Sequence, residues 1–218
     1  MVAWDKAKGN SGGGNNQRRE IERLNLGIGD TKIRLIGDVL PRYVYWVVTK
    51  EGKKMPVECL QFDRQKESFN SAIKDPMTEI SQEIYSEKPQ FAYICNVLDR
   101  ADGKIKIFDL RATIYKQIVD LAVNPDYGNP ADPDNGYDIT VKKEKVGPLP
   151  QNVKYSVIAA RNNSSLSESD KAKELFELDK IYKRQTYEEQ KQWLLQNTSY
   201  FEGGASDEFR PETPEDLD

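Results

Sequence analysis

The last seventeen residues confine what the rest of the chain can fold into. Glu202-Gly-Gly-Ala-Ser-Asp-Glu-Phe-Arg-Pro-Glu-Thr-Pro-Glu-Asp-Leu-Asp218 carries seven acids, one Arg, two Pro and two Gly. So little apolar surface cannot offset the entropy of ordering, and the segment is predicted to stay disordered. A core must be assembled from what precedes it. Residues 1–165 hold 25 Lys+Arg against 22 Asp+Glu, whereas residues 166–218 hold 7 against 14. A mildly basic, aromatic body joined to an acidic tail suggests a polyanion-binding surface with a tethered polyanion mimic. The plain alternative is a solubilising tail.

The 218 residues allow one domain with appendages, or two small ones. With 37% apolar and 31% charged residues and a mean hydropathy of −0.76, the core is modest and the solvated segments long. No apolar run approaches the ~20 residues that span a bilayer. Met1-Val-Ala-Trp-Asp-Lys6 lacks the apolar stretch of a signal peptide, so a cytoplasmic location and no membrane partner are expected. The chain has two cysteines and no histidine. A four-ligand zinc site of Cys and His cannot be built from it, and His-dependent catalysis is excluded. Cys59 and Cys95 sit in strand-like runs and read as reduced core residues. The expectation is a protein without metal, cofactor or catalytic residues.

Residues 1–17 form a Gly-rich arm, and Arg18–Leu24 could make a helical turn or two. Strand patterns begin at Thr31–Ile36 and continue through Tyr43–Val48, dense in aromatic and β-branched residues. Lys53–Glu58 reads as an edge strand because of Pro56. Residues 61–88 are polar, with a short helix expected over Thr78–Tyr85. Phe91–Leu98 and Lys104–Phe108 flank Asp102-Gly103, a hairpin signal. A helix follows, with Ile114, Ile118, Leu121 and Ala122 on one face. Asn124–Gly136 is a Pro-stiffened loop whose acids miss the calcium-loop register. Tyr137–Val141 and Val153–Ile158 are the last strands. Ser167 with Asp170, and Thr186 with Glu189, mark helix starts. The predicted fold is mainly β with added helices (α+β). Size and element order fit best an OB-fold barrel core over 18–165, which periodicity alone does not separate from a small sandwich, with a helical extension over 166–200 packed on the core and an acidic tail over 201–218.

Strand alternation sorts side chains into faces. Arg42, Val44, Trp46 and Val48 share one, and Tyr43, Tyr45 and Val47 the other, with the Tyr face favoured as the open one. Lys104, Lys106 and Phe108 lie opposite Ile105 and Ile107. Tyr137, Ile139 and Val141 lie opposite Asp138, Thr140 and Lys142. Basic and aromatic groups on a face that the core cannot use suit single-stranded nucleic acid, since cations follow phosphates and rings stack on bases. The candidate binding residues are Arg34, Arg42, Tyr43, Tyr45, Trp46, Tyr93, Lys104, Lys106, Phe108, Arg111, Tyr137, Lys142, Lys143 and Lys145.

Phe91-Ala-Tyr-Ile-Cys-Asn-Val-Leu-Asp-Arg-Ala-Asp-Gly-Lys-Ile-Lys-Ile-Phe108, Asn124-Pro-Asp-Tyr-Gly128, Gly136-Tyr-Asp-Ile139 and Tyr155-Ser-Val-Ile-Ala-Ala-Arg161 carry a resemblance. Together with Arg34-Leu-Ile36 and Ser165-Leu-Ser-Glu168, this pattern resembles the phage single-stranded DNA-binding proteins of the T4 helix-destabilising type, over roughly residues 30–180. The resemblance implies an OB fold with a basic cleft for single-stranded DNA and a role in DNA replication, recombination and repair. It also implies an N-terminal segment for self-association on DNA and an acidic tail that contacts replication and recombination proteins. Asp207, Glu208, Phe209, Glu215, Asp216, Leu217 and Asp218 are the residues expected to make those contacts. Members often carry a zinc ribbon between the early strands; here the stretch Cys59 to Lys88 has one Cys and no His, so an unmetallated insert is expected.

Two other readings stand beside it. Asp38 with Glu51-Gly-Lys53 mimics the two carboxylates and Lys of a metal-dependent nuclease. A non-catalytic adaptor could use the acidic tail to bind a basic protein.

Overall fold

The computed structural model describes residues 20–202. The N-terminal arm and the seven tail residues expected to meet partners lie outside the described residues.

The first strand, β1 (Gly29–Leu40), is the spine of the molecule. It pairs antiparallel with β7 (Ile94–Asp99) on one side and β9 (Ile139–Lys145) on the other. With β8 (Ile105–Asp109) and β10 (Val153–Ala159), they form a five-stranded sheet in the order β10-β9-β1-β7-β8. The sheet is open, with β8 and β10 at its edges. The β7–β8 turn closes through Gly103, whose φ of 69° favours glycine. A bulge at Gly37-Asp38 shifts the β1–β7 register between Ile36 and Val39 and bends the spine.

Helix α1 (Ala112–Val123) leaves β8 and packs against β10. Ile114 and Ile118, one turn apart, are its buried residues, as the 3.6-residue period required.

The sheet is covered on both sides. Ile33, Leu35, Cys95, Val97, Phe108, Ile139 and Val141 face the main core. Ile94, Leu98, Ile105 and Ile107 face a second cluster with Leu166, Phe176 and Leu178. Residues 166–182, which include the one-turn helices α2 (Glu168–Lys171) and α3 (Leu178–Ile181), supply that cover. The expected helical extension is therefore mostly a strap. Only α4 (Tyr187–Asn197), opened by the Thr186–Glu189 capping box, is a helix of length.

Between β1 and β7 lies an insert. Strands β2 (Tyr43–Val48), β3 (Lys54–Glu58) and β6 (Gln90–Phe91) form a three-stranded sheet in the order β3-β2-β6. The hairpin of β4 (Phe62–Asp63) and β5 (Ser68–Phe69) stands beside it. Where a helix was expected over Thr78–Tyr85, the chain makes only a 3-10 turn at Pro76–Glu79. Buried Asp75 holds this region by accepting from the Leu60 and Met77 amides at 2.7 and 2.9 Å. The Gln190 side chain donates to the Glu58 carbonyl at 2.7 Å, tying α4 to the insert.

Residues 22–24 are extended, not helical. Leu24 N–H donates to Ile107 O at 2.8 Å and Ile107 N–H to Glu22 O at 2.9 Å, covering the β8 edge in parallel. Among the described residues, no helix is long and apolar enough to cross a membrane.

Candidate nucleic-acid interface

A band of aromatic side chains runs from the insert to the rim of the open sheet. Phe91 stacks on Tyr93 with centroids 4.0 Å apart and planes 18° from parallel. Tyr115 packs on both, at 5.6 and 5.0 Å. Tyr43 meets Phe91 at 6.0 Å and Phe69 at 4.8 Å, extending the band onto the β4–β5 hairpin. Phe69 is 53% exposed, and Tyr43, Phe91 and Tyr115 are half-buried. Half-buried rings that are already packed edge to face are rigid and lose little entropy when a further ring joins them.

Cations border the other end. Arg111 ends the β8 connection and precedes α1, one turn before Tyr115. Its guanidinium lies over the Tyr155 ring at 5.1 Å, and the Lys143 ammonium stands 5.9 Å from the same ring. Lys143 and Tyr155 are register partners on β9 and β10, on the face shared with Ile139 and Val141. Lys143 also donates to Leu26 O at 3.0 Å. A guanidinium over a phenol is a preformed cation–π pair that leaves further N–H donors for phosphate.

One acid sits within the band. The Tyr93 hydroxyl donates to Glu67 Oε2 at 2.9 Å. Burial first, then Glu67, pushes the Tyr93 phenol well above its usual range; the same two causes raise Tyr115. Both phenols therefore stay neutral and keep their O–H at physiological pH.

Of the residues expected from sequence, the structure brings Tyr43, Tyr93, Arg111 and Lys143 into this band. The others go elsewhere, and burial is the usual reason. Tyr45 (5% exposed), Phe108 (2%) and Tyr137 (0%) are core residues and cannot stack on a base. Tyr93 is itself 4% exposed and contributes its hydroxyl and the support of Phe91, not an open face. The expected open Tyr face of β2 is corrected: Tyr45 and Val47 are buried in the core, Tyr43 is half-buried against its edge, and Trp46 points outward at 38% exposure. Arg34 is fully buried on the outer face of β1, donating to Asp132 O at 2.7 Å and lying 3.9 Å from Asp138. Gly136 makes room for it, since a Cβ there would stand 2.8 Å from Arg34 Nη2. Arg42 is buried against Glu58 at 3.3 Å and over the Tyr182 ring at 4.4 Å.

The hairpin lysines are engaged. Lys104 pairs with Glu22 at 2.9 Å, and Lys106 pairs with Asp99 and Asp102, both at 2.7 Å. Both faces of β8 are in use, so no basic face is left over there. Lys142 pairs with Glu144 at 2.8 Å on the outer face, and Lys145 is exposed at the end of β9.

Phe69, Phe91, Tyr115 and Tyr155 were missing from the residues expected to bind. Phe69 lies in a stretch without strand periodicity. Tyr115 sits one turn after Arg111, a spacing that could have flagged it.

Asp38 lies in the β1 bulge, whereas Glu51 sits in the turn beyond the far end of β2, where it pairs with Lys53 at 3.0 Å. Among the described residues no cluster of three acidic, Cys or His side chains could hold a metal ion.

No family model matches the chain. A relative from Escherichia phage T5 does. It is named a probable ssDNA-binding protein and is 38% identical over 151 residues, which is 65% of this chain and 56% of that protein. The chain thus spans little more than half the length of the curated relative it matches.

Proposed function

We propose that this chain binds single-stranded DNA without catalysis, along the band from Phe69 to Lys143. The observation that carries the reading is the continuity of half-buried rings, Tyr43–Phe91–Tyr115, with Tyr155 under two cations. Rings offer stacking to any base, worth roughly 1–3 kcal/mol each, while Arg111 and Lys143 follow the phosphates. The name of the phage T5 relative supports the same ligand. Duplex DNA keeps its bases inside the stack and would offer this band only phosphates.

In this reading the five-stranded sheet is a partly open OB-type barrel, with α1 filling the gap between β8 and β10 and residues 43–91 inserted after its first strand. The protein would act in phage DNA replication, recombination and repair in the host cytoplasm, associating with itself on DNA. Residues 207–218 would meet replication and recombination proteins.

Binding to labelled oligo(dT) and to duplex of equal length, at two salt concentrations and with or without Mg²⁺, tests it. The expected result is tight, metal-independent, strand-selective binding. Equal affinity for duplex, or Mg²⁺-dependent cleavage, would overturn it.

A further inference from the structure

Glu67 is out of place in a surface that takes a polyanion. It stands at the tip of the β4–β5 hairpin, between Asp63 and Phe69, with the positive φ of 47° that non-glycine residues seldom adopt. Among the described residues it is the one non-glycine residue in that conformation. No cation pairs with it among them, and its carboxylate accepts from the Tyr93 hydroxyl at Oε2. That bond fixes the carboxylate beside the Phe91–Tyr93 stack and leaves Oε1 as an acceptor.

We infer that Glu67 reads the edge of a base stacked on this band, selecting cytosine's amino group over the carbonyl of uracil or thymine. This rests on the single-strand reading above and refines it from indifferent to biased. A phosphate would be repelled here, so the strand must present a base, not its backbone, to the hairpin tip. Cytosine offers its N4 amino group, a donor, where uracil and thymine offer the O4 acceptor. A fixed carboxylate gains a charge-assisted hydrogen bond from the first and lone-pair repulsion from the second. The strained backbone and the Tyr93 bond serve positioning: an unanchored Glu on a hairpin tip would turn to solvent and discriminate nothing.

The test uses the full chain, Glu67→Gln and Tyr93→Phe, with oligo(dC) and oligo(dU) of equal length at mildly alkaline pH. These ligands share sugar, backbone and ring and differ along one base edge, at the amino or carbonyl group of position 4 and at the adjacent N3. The full chain should prefer oligo(dC) about fivefold, the low end for a direct base contact. Glu67→Gln should bring the ratio close to one, chiefly by tightening oligo(dU). Tyr93→Phe keeps the charge but frees it, and should narrow the ratio while the melting temperature holds. A ratio near one in the unaltered protein, or an equal gain on both ligands in Glu67→Gln, would overturn the inference and leave only general repulsion. Failure of both oligonucleotides to bind any of the three proteins would sink the single-strand reading and the base preference with it.

Discussion

Asn96, buried in the middle of β7, exchanges two hydrogen bonds with the backbone of Phe176: Nδ2 donates to its carbonyl at 3.0 Å and Oδ1 accepts from its amide at 3.1 Å. The side chain stands in for a neighbouring strand. It bonds both backbone polar groups of a strap residue that packs against the apolar cluster of Leu98, Ile105 and Ile107. Asn96 thereby ties the strap to the outer face of the sheet.

Asn96→Leu keeps the branched outline of the side chain, at a larger volume, and removes both bonds. It should lower stability by about 1–3 kcal/mol, for the loss of two buried side-chain-to-backbone hydrogen bonds. Thermal melting reads this directly. Limited proteolysis should show new cleavage within residues 166–182.

Platform and core are separable by one pair of measurements. Phe69→Ala should weaken oligo(dT) binding by about 1–3 kcal/mol with little change in melting, because the ring is largely exposed. Tyr137→Ala should do the reverse: that ring is fully buried, its hydroxyl donates to Gly128 O at 3.1 Å, and deletion should cost about 3–5 kcal/mol of stability. Loss of melting temperature in Phe69→Ala without loss of affinity would place Phe69 in the core's support, not on the platform.

Salt dependence distinguishes the cations. Each phosphate neutralised contributes about −0.7 to the slope of log K against log salt for single strands. Replacing Arg111 and Lys143 together with Ala should flatten the slope by about 1.4. Replacing Lys104 and Lys106 should leave it unchanged and instead lower stability, since Asp99 would lose its ammonium partner. A flattened slope in the second variant would return the hairpin to the binding surface.

Acid should unfold the contact between α4 and the insert. The Glu79 carboxyl is held below its usual range, first by the Tyr187 hydroxyl and, after the opposing effect of burial, by the Lys191 ammonium. A depressed carboxyl contributes stability that is full above its unfolded value, about 4.3, and is lost as pH falls through the lower folded value. Melting temperature should therefore drop below about pH 4, and Glu79→Gln should reduce that drop. Identical acid profiles for the two proteins would remove Glu79 from the linkage.

The acidic segment offers a further test. Residues 203–218 carry six acids and one Arg on a short tether, so they should compete with DNA at high effective concentration. A chain ending at Glu202 should bind oligo(dT) more tightly than the intact chain at low salt, with the gain shrinking as salt screens it. Equal affinities at both salts would leave the segment a solubilising role.

Much of the scaffold was legible in residue patterns. The Asp102-Gly103 turn, the Ile114/Ile118 helix face, the Ser167 and Thr186 caps and the edge position of the Pro56 strand all follow from local chemistry. Backbone geometry and hydrogen-bonding needs are set within a few residues, so they can be read within a few residues. Alternation likewise assigned Lys106 and Phe108 to one face of their strand, and Trp46 and Tyr45 to opposite faces of theirs.

Which face meets solvent was not legible, because that depends on distant chain segments. Residues 166–182 cover the outer face of β7 and β8 from about 70 positions further along, as the Asn96–Phe176 separation of 80 shows. Lys106 found Asp99 across the hairpin, Arg34 found Asp132 O, and Tyr45 turned inward against Cys59 and Tyr85. The aromatic band is a tertiary product in the same sense. Phe69, Phe91 and Tyr115 come from a hairpin, an edge strand and a helix that share no periodicity, and only the packing of the insert against the open sheet sets their rings side by side. Composition by itself supplied the aromatic and basic residues and removed histidine chemistry; long-range packing chose which few of those residues share a surface.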